Sequence, residues 1–140
     1  MVEIIAGEHG KGKSKYLLDK ANNSIAAASG NIIFIDKSGK HMYELTNKIR
    51  LVNVSDYPIT GKDEAMGFLC GIIAADHDIQ EIYIDSFLDV AFATDESLIT
   101  DSISKLDVIS EKFGVRFVVS IAMDEDKLPE CAKAKLIVSL

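Results

Sequence analysis

Tryptophan is missing from this chain, proline and cysteine occur twice each, and arginine is found only at positions 50 and 116. Each scarcity excludes something. Two arginines far apart in sequence, in a chain of net charge −7, cannot build the clustered basic surface that tracks a nucleic-acid backbone. No nucleic-acid partner is therefore expected. Cys70 and Cys131 form no CxxC pair and sit in apolar or helical surroundings. They read as reduced, buried or semi-buried thiols rather than a disulfide framework. His41 and His77 are isolated, so no H-x-x-x-H or Cys/His cluster offers a zinc site. No apolar run approaches the roughly 20 residues of a membrane span, and no secretory leader is legible. The expectation is a soluble, cytoplasmic protein with no membrane partner. With no repeat, linker or low-complexity tract, residues 1–140 read as a single domain.

What is present is an alternation of apolar runs and helical patterns. The apolar share is 48%, enough for a sizeable core without staples. VEIIA (2–6), NIIFID (31–36), LVNV (51–54), EIYID (81–85), VRFVVSIA (115–122) and AKLIVSL (134–140) read as strands, most of them apolar throughout. Between them, Tyr16, Leu17, Leu18, Ala21, Ile25 and Ala28 recur at helical spacing, with Gly30 as the stop. HMYELTNKI (41–49) reads as a short helix of two to three turns. Residues 62–76 and 95–113 read as longer helices, the second ending at Gly114. DEDKLPEC reads as a loop with one short helical turn, its Asp124, Glu125 and Asp126 exposed on the ligand side of the sheet. Strands alternating with helices predict an α/β fold, a mostly parallel sheet covered on both faces in three α/β/α layers.

The stretch Gly7-Glu8-His9-Gly10-Lys11-Gly12-Lys13-Ser14, followed by Lys15, fits G-x-x-x-x-G-K-[ST] in full. The chemistry needs those residue types in that order. Gly7 and Gly12 let the chain curl so that successive backbone N–H groups face one anion. The helix starting near Lys13 turns its positive end towards the same point. Lys13 then reaches the β- and γ-phosphates of a nucleotide, and the Ser14 hydroxyl ligates Mg²⁺. Asp85 ends the EIYID strand at the carboxyl end of the sheet, where open α/β sheets bind ligands. A carboxylate there holds Mg²⁺ opposite Ser14. His9 and Lys11 either meet phosphate or are solvated.

These stretches together resemble the nucleotide-binding core of the RecA-like P-loop ATPases over nearly the whole chain. The glycine loop is the sharp motif, and NIIFID, LVNVSDYPITGKDEAMGFLCGIIA and EIYIDSF are similar at the level of pattern. The resemblance implies P-loop topology, ATP or another nucleoside triphosphate bound with Mg²⁺, and Lys13, Ser14 and Asp85 in the roles above. It places Tyr43 near where relatives stack a tyrosine on adenine, the alternative being a core aromatic. It also implies a glutamate just past the second strand to orient water. Here Lys37-Ser38-Gly39 follow the strand, Asp85 is followed by Ser86, and only Asp36 is near enough to stand in. Loss of a positioned base costs typically 10²–10⁴-fold, so the expectation is a slow ATPase or a nucleotide-dependent switch. Two alternatives stay open: a small phosphotransferase with an acceptor pocket near Asp36, Asp56 and the SDYPITGKD loop, and a non-catalytic adaptor. Lys40 and Arg50 are the candidates for a charge-stabilising finger. Self-association or a protein partner is left open.

Overall fold

The structure is a computed structural model that describes residues 1–140. Six strands form one sheet: β1 (Val2–Gly7), β2 (Asn31–Asp36), β3 (Arg50–Asn53), β4 (Ile79–Ile84), β5 (Arg116–Ala122) and β6 (Leu136–Ser139). Their order across the sheet is β3-β2-β4-β5-β1-β6, and every neighbouring pair is parallel. Parallel strands need crossover connections. Four of the five contain α1 (Lys13–Ser24), α2 (Lys62–Ala75), α4 (Glu96–Phe113) and the four-residue α5 (Glu130–Lys133); β2 reaches β3 through a loop with one 3₁₀ turn, and α3 (Phe87–Val90) is a single turn after β4.

Both faces of the sheet are covered, which explains why its central strands read as unbroken apolar runs. On one face Ile5, Ile32, Phe34, Tyr83 and Val118 pack against Leu17, Leu18 and Ala21 of α1. On the other, Ile4, Ile33, Ile35, Ile82, Ile84, Phe117 and Val119 meet Met66, Leu69 and Ile73 of α2 and Ile99, Ile103, Leu106 and Ile109 of α4. Neighbouring residues along each strand thus belong to opposite cores, as the two-residue period of a strand requires. This is the three-layer α/β/α arrangement expected from the sequence. No helix is long and apolar enough to cross a membrane.

Three local expectations are corrected. The helix expected over 41–49 is only a 3₁₀ turn at Met42–Glu44. Asn22 of α1 explains the loss: its side-chain amide donates to the Glu44 carbonyl at 2.8 Å and accepts from the Thr46 N–H at 2.9 Å. These groups are thereby withdrawn from helical pairing. The first helix stops at Ser24 rather than continuing to Gly30. Beyond it, the N–H groups of Ser29 and Gly30 both donate to the Gln80 side chain at 2.9 Å, fixing a turn instead. Cys70 is exposed on α2, not buried.

Candidate functional site

The carboxyl ends of β1, β2 and β4 converge, because a parallel sheet delivers all its strand ends to one edge. After β1 the chain runs through Gly10 and Gly12, at φ +82° and +91°, into α1. Those left-handed values favour glycine. Gly7 serves a different need, since a Cβ there would lie 3.2 Å from Leu140. The backbone N–H groups from Glu8 through Lys15 donate to no acceptor within the chain, and the first helical bond runs from the Tyr16 N–H to the Gly12 carbonyl. No side chain caps α1. The loop therefore presents a continuous row of free donors at the positive end of a helix.

Lys13 is buried at the base of this row, and its Nζ donates to the Glu8 carbonyl at 2.8 Å. Burial pulls its pKa down, while the Asp85 charge opposes that shift. Ser14 Oγ donates to Asp85 Oδ2 at 2.6 Å, so the loop and the end of β4 are already in contact. That contact spans β5, which lies between β1 and β4. Ser120 of β5 fills the gap: its hydroxyl donates to Asp85 Oδ1 at 2.6 Å and accepts from the Ser86 N–H at 2.8 Å. Ser86 itself sits in the left-handed region at φ 53°, a strained place for a residue with a side chain. Its N–H lies 3.1 Å from Asp85 Oδ1, so the turn after β4 is shaped around that carboxylate.

Asp36 ends β2 beside Asp85, following the register pair Ile35–Ile84. Its Oδ1 accepts the Lys37 N–H at 2.7 Å, and its Oδ2 is buried without a partner. Burial raises its pKa, and the Asp85 charge adds to the rise. The Lys37 N–H, His41 and Lys40 pull the other way. His41, from the loop after β2, brings a ligand atom within 4.8 Å of those of Asp36 and Asp85.

These groups line a cavity of about 380 Å³, together with His9, Gly10, Gly12, Lys37, Lys40, Ser86 and Ala122. Gly7, Glu8, Lys11, Lys15 and Tyr43 do not line it, although the first four belong to the motif or adjoin it. Lys15 instead pairs with Asp19 on the surface of α1. Tyr43 is 91% exposed, so it belongs to no core. Arg50 also lies outside the cavity, whereas Lys40 lies in it, and no glutamate lines it. Sequence reasoning missed His41, which it read as isolated, and also Ser86 and Ser120. The only linear trace of the first is the spacing Asp36-x₄-His41.

Ser14 and Asp85 suit Mg²⁺, which takes one or two protein oxygens and fills its remaining positions with water and phosphate. The molecule is thus a three-layer α/β/α protein whose glycine loop, serine and paired carboxylates meet at one sheet edge. No protein-family model matches the chain, and no curated protein matches it.

Proposed function

We propose that the chain binds a magnesium nucleoside triphosphate, ATP foremost, and acts as a slow hydrolase or nucleotide-dependent switch. The observation that carries this reading is the row of unpartnered backbone N–H groups from Glu8 through Lys15. It encloses Lys13 and leads directly to the Ser14–Asp85 contact. Such a row is a preformed receptor for polyphosphate oxygens. The cavity supplies the cations as well: Lys13, Lys37 and Lys40 line it against the two carboxylates Asp36 and Asp85.

In this reading the loop amides and Lys13 bind the β- and γ-phosphates, and Lys13 exchanges the Glu8 carbonyl for phosphate oxygen. Ser14 and Asp85 hold Mg²⁺, which neutralises phosphate charge when bound. Ser120 and the Ser86 N–H keep Asp85 oriented. With no glutamate in the cavity, hydrolysis lacks the usual water-positioning group, and turnover is slow.

The test is a calorimetric titration of wild-type and Lys13→Ala protein with Mg-ATP and Mg-GTP. Wild type is expected to bind and the variant to lose binding. At a hundredfold excess over Kd the ligand should stabilise the wild-type fold by about 2.7 kcal/mol. Wild-type protein that takes up neither nucleotide at millimolar concentration overturns the reading.

A further inference from the structure

Two buried side-chain polar atoms in this protein have no hydrogen-bond partner, Asp36 Oδ2 and His41 Nε2. Both residues belong to one cluster: a ligand atom from each of Asp36, His41 and Asp85 lies within 4.8 Å of the others. A buried polar atom left without a partner costs about 1–3 kcal/mol, and native proteins rarely tolerate it without a reason. Here both such atoms belong to residues of that one cluster. Asp36 is 1% exposed, so water does not satisfy it from outside.

We propose that Asp36, His41 and Asp85 together form a binding site for a divalent transition-metal ion such as Zn²⁺, Mn²⁺ or Co²⁺. The donor set is two carboxylates and one imidazole, and the imidazole selects against Mg²⁺ and Ca²⁺, which prefer oxygen alone. His41 is prepared for the role. Its Nδ1 is hydrogen-bonded to the Glu44 carboxylate, which fixes the ring and places the proton on Nδ1. Nε2, buried and without a hydrogen-bond partner, is then the ring nitrogen free to bind a metal. A carboxylate behind a histidine in this way is the usual outer support of a metal ligand.

Asp36 and Asp85 stand on adjacent rigid strand ends. Asp85 Oδ1 accepts from Ser120 and the Ser86 N–H, whereas Oδ2 accepts from Ser14 alone and keeps a lone pair for an ion. A tetrahedral ion with bonds near 2.1 Å spans ligand atoms about 3.4 Å apart. His41 and its partner Glu44 stand together on the loop after β2, so a small shift of that loop, with the ring still held, would close the remaining gap. Three protein ligands leave the fourth position open towards the cavity, as in sites that accept water or an anion. Bringing a dication between two facing carboxylates also offsets their mutual repulsion.

The inference does not rest on nucleotide binding. It uses Asp85 in common with the Mg²⁺ reading, but neither Lys13 nor Ser14 belongs to its ligand set. The competing account is a proton shared within the cluster, with no ion at all.

Chelator-stripped protein is titrated with Co²⁺, followed by visible absorption, and with Zn²⁺, followed by calorimetry. Wild type should take up one ion per chain in a saturable step, and millimolar Mg²⁺ should not displace it. His41→Gln and Asp36→Asn should each weaken binding by about tenfold or more, while Lys13→Ala leaves it intact. Thermal melts of each metal-free variant identify any that fails to fold. Asp36→Asn removes a buried charge and keeps its shape, so it remains folded and interpretable if His41→Gln does not. Absence of saturable uptake by wild type overturns the site, as does uptake that survives both ligand substitutions. Loss of metal binding in Lys13→Ala also overturns the ligand set. Nucleotide binding that fails while metal binding persists counts against the proposed function alone.

Discussion

The two ends of the sheet hold polar clusters built from similar parts and finished in opposite ways. At the amino end, Arg116 of β5 lies between Glu3 of β1 and Glu81 of β4, with Arg116 Nη1 3.1 Å from Glu81 Oε2. Ser24 Oγ donates to that same Oε2 at 3.4 Å, and the other Glu81 oxygen accepts from the Tyr83 hydroxyl at 2.9 Å. No buried side-chain atom of this cluster lacks a partner. Burial pushes the Tyr83 hydroxyl up to about 12, the neighbouring Glu81 contributing to the rise, so it stays a neutral donor. At the carboxyl end, Asp36 and Asp85 face each other without an arginine between them, and two atoms are left unmatched. A cluster that saturates itself is structural. One that leaves donors and acceptors open, beside a row of free amides, is arranged for something from outside.

The contrast is broken most forcefully at Glu81. Glu81→Ala removes the acceptor of a buried tyrosine and one carboxylate of Arg116. Because Arg116 is partly exposed, the expected loss is about 2–3 kcal/mol, below that of a fully buried pair. Urea unfolding should show it without any change in metal or nucleotide affinity.

The next test compares helix starts. Asp95 caps α4 by accepting the Leu98 N–H at 2.8 Å, whereas α1 has no side-chain cap. Asp95→Ala should cost about 1 kcal/mol. The bare start of α1 offers no corresponding contact to remove, so stability is sensitive to its cap at one helix and indifferent at the other.

The smallest effect is a gain. In metal-free protein, Asp36→Asn should raise the thermal midpoint, because burial and the nearby Asp85 charge both disfavour the ionised Asp36 carboxylate. A carboxyl whose folded pKa is raised above its ordinary 3.8 binds more protons folded than unfolded. Stability then falls as pH rises between the two values. Below the ordinary value both states are protonated and the penalty vanishes. The difference between variant and wild type should therefore open as pH rises from about 4, and a pH series of thermal melts checks it. A gap of constant size would mean that the carboxyl is solvated, and the contrast between the sheet ends would lose its basis.

The sheet was legible because burial on both faces writes itself into consecutive residues: Ile32 to Ile35 need no partner strand to be recognised. The glycine loop was legible for the same reason, since the whole motif lies in one short stretch. Residues 41–49 misled because only Leu45 and Ile49 of their helical spacing reach the core. Met42 and Tyr43 are exposed, and Asn22, distant in sequence, takes up the local backbone groups. The cluster of Asp36, His41 and Asp85 was illegible for a topological reason. It exists only because β4, though it follows β3 in the chain, is inserted next to β2 rather than beside β3. Nothing local in sequence announces that neighbour, and so His41 read as a lone histidine and Ser120 as an ordinary strand residue.

The position of β5 between β1 and β4 has one more consequence, for how this chain can vary. Two inter-strand spacings put the loop strand and the Asp85 strand roughly 10 Å apart. Only residues at or beyond the strand ends can reach across that width. The address of the site is accordingly a count of residues along β4 and β5 rather than any one composition. Exchanging one apolar residue for another within Ile79–Ile84 keeps the count. Adding a single residue there reverses which face each later side chain meets, and would turn Asp85 away from both Ser14 and Ser120. Length along these two strands is thus held more tightly than identity, while the exposed loop from Tyr57 to Gly61, upstream of α2, is free to lengthen.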